Sequence, residues 1–127
     1  MATLLRGSPT VSVVIPVYDA SDCIASAVAS VFAQTRSDLE VLLVDDGSHD
    51  ADRLETAIAR WRSEIRVERQ ANAGAGAARN RGVAFSRGQY VAFLDADDEW
   101  APDFLERQLD RLQRAAADPA VAPHHQD

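Results

Sequence analysis

Val11-Ser-Val-Val-Ile-Pro-Val17, followed at once by Tyr18-Asp19, decides how the rest of the chain is read. A β-branched run with apolar residues on consecutive positions suits a strand covered on both faces. It stops at an aromatic residue and an acid. The same grammar returns twice. Glu40 to Val44 (EVLLV) breaks at Asp45-Asp46-Gly47-Ser48, and Tyr90 to Leu94 (YVAFL) breaks at Asp95-Ala96-Asp97-Asp98. Ile65 to Glu68 reads as a further short strand.

Helical patterns fill the gaps. Ser21 or Asp22 offers an N-cap to a helix carrying Ile24, Ala27, Val28, Val31 and Phe32 at helical spacing. A second helix is expected from about Asp50 to Trp61, with Leu54, Ala57, Ile58 and Trp61 on one stripe. Asn72-Ala-Gly-Ala-Gly76 leads into a third, through about Phe85, closed by Gly88. Pro102 suits the first turn of a last helix bearing Phe104, Leu105, Leu109 and Leu112. Strand alternating with helix predicts an α/β fold, a three-layer α/β/α arrangement around a mainly parallel sheet. Residues 1–10 are expected to be a lead, 11–114 the domain, and 115–127, rich in Ala, Asp, Pro, His and Gln, a frayed tail.

The 127 residues suffice for one domain with its own core. Net charge is −7, so a nucleic-acid footprint is not indicated. All 13 basic residues are arginine, which excludes a lysine nucleophile, Schiff base or phosphate-binding lysine. The single cysteine, Cys23, excludes an internal disulfide and is expected as a small buried helix residue. No apolar run reaches the roughly 18 residues of a membrane span, and the first ten residues lack a signal-peptide core. The default expectation is a cytoplasmic protein, with attachment to a membrane surface left open.

In open parallel sheets ligands bind beyond the carboxyl ends of the strands. Three of the four expected strands end there in acids: Asp19, then Asp45 and Asp46, then Asp95, Asp97 and Asp98. Two like charges about 4 Å apart near a surface repel by about 4 kcal/mol at an effective dielectric of 20. Some acids are therefore protonated, or point away, or share a cation. Mg²⁺ or Mn²⁺ suits this chemistry, being held by one or two carboxylates plus substrate phosphates. Asp95-x-Asp97 after a strand presents alternate residues to one side. Alone, the segment reads equally as a solvated turn with a helix cap.

Four segments together resemble family 2 glycosyltransferases of the GT-A fold, in order and at fitting spacing: VSVVIPVYD (11–19), VLLVDDGSHD (41–50), NAGAGAARNRG (72–82) and YVAFLDADDEWAPDFLE (90–106). Ser30-Val-Phe-Ala-Gln34-Thr35 also looks like that family's S-x-x-x-Q-T. The resemblance covers about residues 11 to 112 and implies the Rossmann-like half that binds a nucleotide-diphospho-sugar, a UDP-sugar favoured, with Mg²⁺ or Mn²⁺. By the same resemblance Pro16 and Tyr18 line the base pocket, Asp46 accepts from the uracil imide, and Asp45 supports the turn. Asp97 is the metal ligand, Asp95 a ribose or metal contact, and Asp98 a neighbour. Arg79 and Asn80 sit on the helix beside the pocket. Asp19 stands where the family often has asparagine, keeping an acceptor and losing a donor.

Inverting members use a carboxylate base to deprotonate the acceptor hydroxyl. That residue lies well downstream of D-x-D, and Glu106, Asp110 and Asp118 read instead as a solvated helix face and its end. The expectation is a partial transferase, or a donor-binding module completed by another polypeptide or by a homo-oligomer, its acceptor unknown. Among competing patterns, Gly74-Ala-Gly76-Ala-Ala-Arg79 lacks the third glycine of a dinucleotide fingerprint. His49 reads as solvated, the pair His124-His125 as part of a disordered tail rather than a site for a stray transition metal, Trp61 as core, and Trp100 as either core or the border of a sugar site.

Overall fold

The computed structural model describes residues 9–117. Most of the expected lead, most of the expected tail, Asp118 and the His124-His125 pair lie outside the described residues.

Four strands form a single parallel sheet: β1 (Val11–Val17), β2 (Leu39–Asp45), β3 (Ile65–Arg69) and β4 (Tyr90–Phe93). Their spatial order is β3-β2-β1-β4. Strand β1 is central, and its register sets Val17 beside Asp45 and Val14 beside Phe93. Successive side chains on a strand alternate faces. Val11, Val13, Ile15 and Val17, with Leu39, Val41 and Leu43 of β2, enter a core shared with α1 (Ile24–Phe32), α2 (Ala51–Ile58) and α4 (Phe104–Ala117). Val14 and Val44, on the opposite face, meet Ala78 of α3 (Ala75–Phe85). Helices on both faces make the expected α/β/α sandwich. No helix among the described residues is long and apolar enough to cross a membrane.

Several boundaries differ from the expected ones for identifiable reasons. Neither Ser21 nor Asp22 caps α1; Cys23 holds the cap position without a side-chain bond, and the Ala20 carbonyl accepts the N–H groups of Cys23 and Ile24. Helix α2 tightens at Ala59 into a 3₁₀ turn through Glu64. Trp61 therefore leaves the α-helical stripe, yet still packs on the core, stacked on Phe32 at 6.4 Å. Helix α4 starts two residues after Pro102 and continues through Ala117, so residues 115–117 are helical.

Two glycines are required by close approach. A Cβ on Gly82 would lie 2.3 Å from Val14 Cγ1, so this residue lets α3 lie against β1. Gly88 does not close α3, which ends at Phe85. Its N–H donates to Ser12 Oγ at 2.8 Å, and a Cβ there would meet the Ser12 backbone. The amino end of the sheet is tied together by Glu40, which accepts from Ser12 Oγ, the Arg87 N–H and Arg66 Nη1.

Candidate functional site

The chain runs from β1 to β2 and β3 on one side, then returns to place β4 on β1's other flank. Connections leaving β1 and β4 at their carboxyl ends diverge at this switch point and leave a crevice. A cleft of about 370 Å³ lies there. It falls in the roughly 300–1,000 Å³ range of ligand pockets.

Pro16, Tyr18, Asp19, Asp46, Arg79, Asp95 and Asp97 all line it. Three strand ends and one helix thus contribute, from positions up to 81 residues apart in sequence. Cys23 lines it as well, where a buried helix position was expected. Burial, then the charges of Asp97 and Asp22, push its thiol above the usual range. Ala75 and Ala78 form the α3 wall, their small side chains leaving it open.

The acids are kept apart by separate partners. Asp46 is 3% exposed, and each of its oxygens accepts twice. Oδ1 takes Gln70 Nε2 and the Ala73 N–H, both at 2.8 Å; Oδ2 takes the Gly74 N–H at 2.9 Å and Asn72 Nδ2 at 3.1 Å. The Gln70 bond, followed by the two backbone bonds, holds this carboxyl below the usual range. In this arrangement all its acceptor positions are occupied by the loop leading into α3.

Asp45 does not line the cleft. It is buried beneath the turn, accepting the Ser48 N–H at 2.9 Å and pairing with Arg69 at 2.7 Å. Asp95 reaches Arg79 Nη2 at 3.5 Å and is exposed. Asp97 is exposed in the cleft, and among the described residues its carboxylate has no hydrogen-bonding or ionic partner. Asp98 turns to the Glu99 N–H at 2.9 Å, and Asn80 is exposed on α3 away from the lining.

Asp95 and Asp97 together supply hard oxygen donors without a competing strong ion pair. That set fits a divalent ion sharing one or two carboxylates with phosphate and water. No group of three or more His, Cys, Asp or Glu side chains suited to a metal occurs among the described residues.

The loop bearing these acids is fixed from behind by the Ser30-x-x-x-Gln34-Thr35 segment. Gln34 is buried; its Nε2 donates to Ala101 O at 2.7 Å and its Oε1 accepts the Leu105 N–H at 2.9 Å. Ser30 Oγ accepts the Trp100 N–H at 3.1 Å. The Thr35 N–H donates to Pro102 O at 2.8 Å. Trp100 stacks on Phe104 at 4.8 Å and packs, partly buried, on the core. His49 is exposed, as expected, and from there also touches Asp19 and Tyr18. Gln70 was also missed, having no motif of its own.

A larger space, about 950 Å³, opens near the amino ends of β2 and β3. Its charged walls include Arg36, paired with Asp38, and Arg66, paired with Glu40. It lies at the wrong end of the sheet for the converging acids, and we assign the functional site to the smaller cleft.

Comparison with known proteins identifies the family. The sequence model of glycosyl transferase family 2 matches residues 12–125. An uncharacterized glycosyltransferase of Escherichia coli (strain K12), YibD, is 40% identical over 107 residues, covering 81% of this chain and 30% of that protein. Among solved structures, S. aureus TarS 1-349 in complex with UDP-GlcNAc superposes with a TM-score of 0.76 at 25% identity, over 84% of this chain and 32% of that one. The mannosyltransferase PcManGT from Pyrobaculum calidifontis, in complex with GDP-Man and Mn²⁺, gives 0.71 at 25% identity, over 91% and 34%. The chain thus spans about a third of the length of these proteins.

Proposed function

The chain belongs to glycosyl transferase family 2, and from that premise we propose that its cleft binds a nucleotide-diphospho-sugar, a UDP-sugar by preference, as the donor side of a glycosyl transfer. The observation that carries this reading is the meeting of Pro16, Tyr18, Arg79, Asp95 and Asp97 in one crevice at the carboxyl edge. An aromatic and a proline at one wall suit a base. Acids and an arginine at the other suit a ribose and a diphosphate.

Tyr18 packs against the base ring beside Pro16. Asp95 takes the ribose hydroxyls or shares the ion with Asp97, and Arg79 orients Asp95 from α3. Mg²⁺ or Mn²⁺ bound at Asp97 would neutralise charge on the diphosphate leaving group. Asp46 acts one step back, holding the loop that begins α3; an added bond from a base would require one of its present donors to yield.

A second reading, a nucleotide-sugar-binding module without turnover, has its own support. Among the described residues after Glu99, Asp103 pairs with Arg107, Glu106 with Thr35 and Asp110 with Arg114, all outside the cleft. Inverting transfer needs a base near the acceptor hydroxyl. Calorimetric titration with UDP, GDP and TDP, each with and without Mn²⁺, tests the common part. UDP binding strengthened by Mn²⁺ and lost in Asp97→Asn is expected; no binding of any nucleotide overturns it. Assays of donor hydrolysis and transfer then separate enzyme from module.

A further inference from the structure

We propose that His49 is a positioning residue for the nucleotide, bridging Asp19 and Tyr18 so that the aromatic ring is fixed at the mouth of the cleft. This rests on the cleft being the nucleotide site.

The first observation is backbone strain. Asp19 has φ +49° and is the one non-glycine residue with positive φ among those described. Left-handed backbone is unfavourable for an ordinary residue, and aspartate tolerates it when its side chain finds a local bond. Here the bonds run to the loop after β2 instead. The Asp19 N–H donates to Ser48 Oγ at 3.0 Å, Oδ1 accepts the His49 N–H at 2.6 Å, and Oδ2 lies 3.0 Å from His49 Nδ1. Two loops are thereby clasped across the top of β1 and β2.

The second observation concerns Tyr18. It is 46% exposed, an aromatic side chain with much of its surface in water at the mouth of the cleft. His49 meets it edge-on, with ring centroids 5.9 Å apart at 71° and the Tyr18 hydroxyl 3.5 Å from Nδ1. Such a pair restricts the ring without burying it. His49 itself does not line the cleft, whereas Tyr18 and Asp19 do. Its influence on a ligand therefore passes through them.

The clasp is chemically tunable. Facing the imidazole are Asp19 and Tyr18 from the loop after β1, and Asp50 from its own loop, with Asp50 also accepting the Ser21 N–H. The Asp19 bond and charge raise the His49 pKa above its usual 6.5 and lower that of Asp19 below 3.8. Carboxylate and imidazolium coexist between those limits, and the ion pair is lost as pH rises through the raised imidazole value. Above that value the neutral Nδ1–H tautomer keeps its hydrogen bond to Asp19 but loses the charge.

The test is UDP affinity, measured with Mn²⁺ from pH 5.5 to 8.5, in the native chain and in His49→Ala, His49→Gln and Asp97→Asn. Exposed ion pairs of this kind reach at most about fivefold in an equilibrium constant. His49→Ala is expected to bind about threefold to fivefold more weakly at pH 6 and to lose the excess pH dependence. His49→Gln keeps a donor but cannot titrate, and is expected to restore part of the affinity with a flat profile relative to the native chain. Both variants should remain folded with at most a small fall in melting temperature, because the ring is exposed. Affinities and pH profiles identical to native, with Asp97→Asn still impaired, overturn the role of His49 while leaving the cleft assignment standing. Absence of UDP binding in the native chain overturns both.

Discussion

The carboxylate of Asp46 accepts the backbone N–H of Gly74 at 2.9 Å, so the end of β2 holds the residue from which α3 springs. Asp46→Asn leaves one acceptor oxygen where two now serve Ala73 and Gly74, and turns an amide NH₂ toward a donor. A buried N–H without a partner costs about 1–3 kcal/mol. Loss of that order in urea unfolding is expected. In UDP titrations Asp46→Ala should weaken binding more than Asp45→Ala, since only Asp46 shapes the cleft wall; equal effects would refute that ranking.

Gln34 lies far from the cleft lining yet governs the loop that carries Asp97. Gln34→Ala strands the Leu105 N–H and leaves the Ala101 carbonyl with the Phe104 N–H alone. A loss of about 1–3 kcal/mol in stability is predicted. Mn²⁺-dependent UDP affinity should fall as well, although no cleft residue is altered.

Gly82→Ala inverts the usual helix preference. In an open helix the change favours folding by about 1 kcal/mol. Here the new Cβ would fall 2.3 Å from a methyl group of Val14, whose β-branched side chain has little rotamer freedom. Net destabilisation of about 1–3 kcal/mol is expected from such overpacking. Thermal melting checks it.

Acid should unfold the protein through a small set of carboxyls. Asp38 is held low by Arg36, Asp46 by Gln70, and Asp50 by Ser21. A folded pKa below the unfolded one contributes stability that is present above about pH 4 and lost as pH falls through the folded value. For these carboxyls alone, the melting temperature should be steady above about pH 5 and drop below about pH 4. Asp38→Asn, having lost the Arg36 bond already, should show a lower plateau and a shallower decline.

Cys23 reports on occupancy of the cleft. Its raised pKa keeps thiolate scarce, so labelling by a thiol reagent at neutral pH should be slow. Asp97→Asn removes one of the charges that raise it and should accelerate labelling. UDP with Mn²⁺ should protect the thiol; unchanged labelling in saturating UDP and Mn²⁺ would place the nucleotide elsewhere.

Much of this was legible in the linear order of residues. Runs such as VSVVIPV and EVLLV are apolar on both parities, which only a sheet covered on two faces accommodates, and the acids that follow them must then share one edge. Strand and helix identities follow from such local periodicity, as do Tyr18, Asp95 and Asp97 at the strand ends. Tertiary structure decided what no local pattern encodes: that Asp45 is buried beneath its turn while its neighbour Asp46 lines the cleft, that Asp46 uses its four acceptor positions on Gln70, Asn72, Ala73 and Gly74, and that Gln34 and His49 serve loops some 30 to 70 residues from their own positions. The reason is physical. Burial periodicity is a property of neighbours in sequence, whereas the pairing of a polar group depends on which distant donor the packed chain brings within 3 Å.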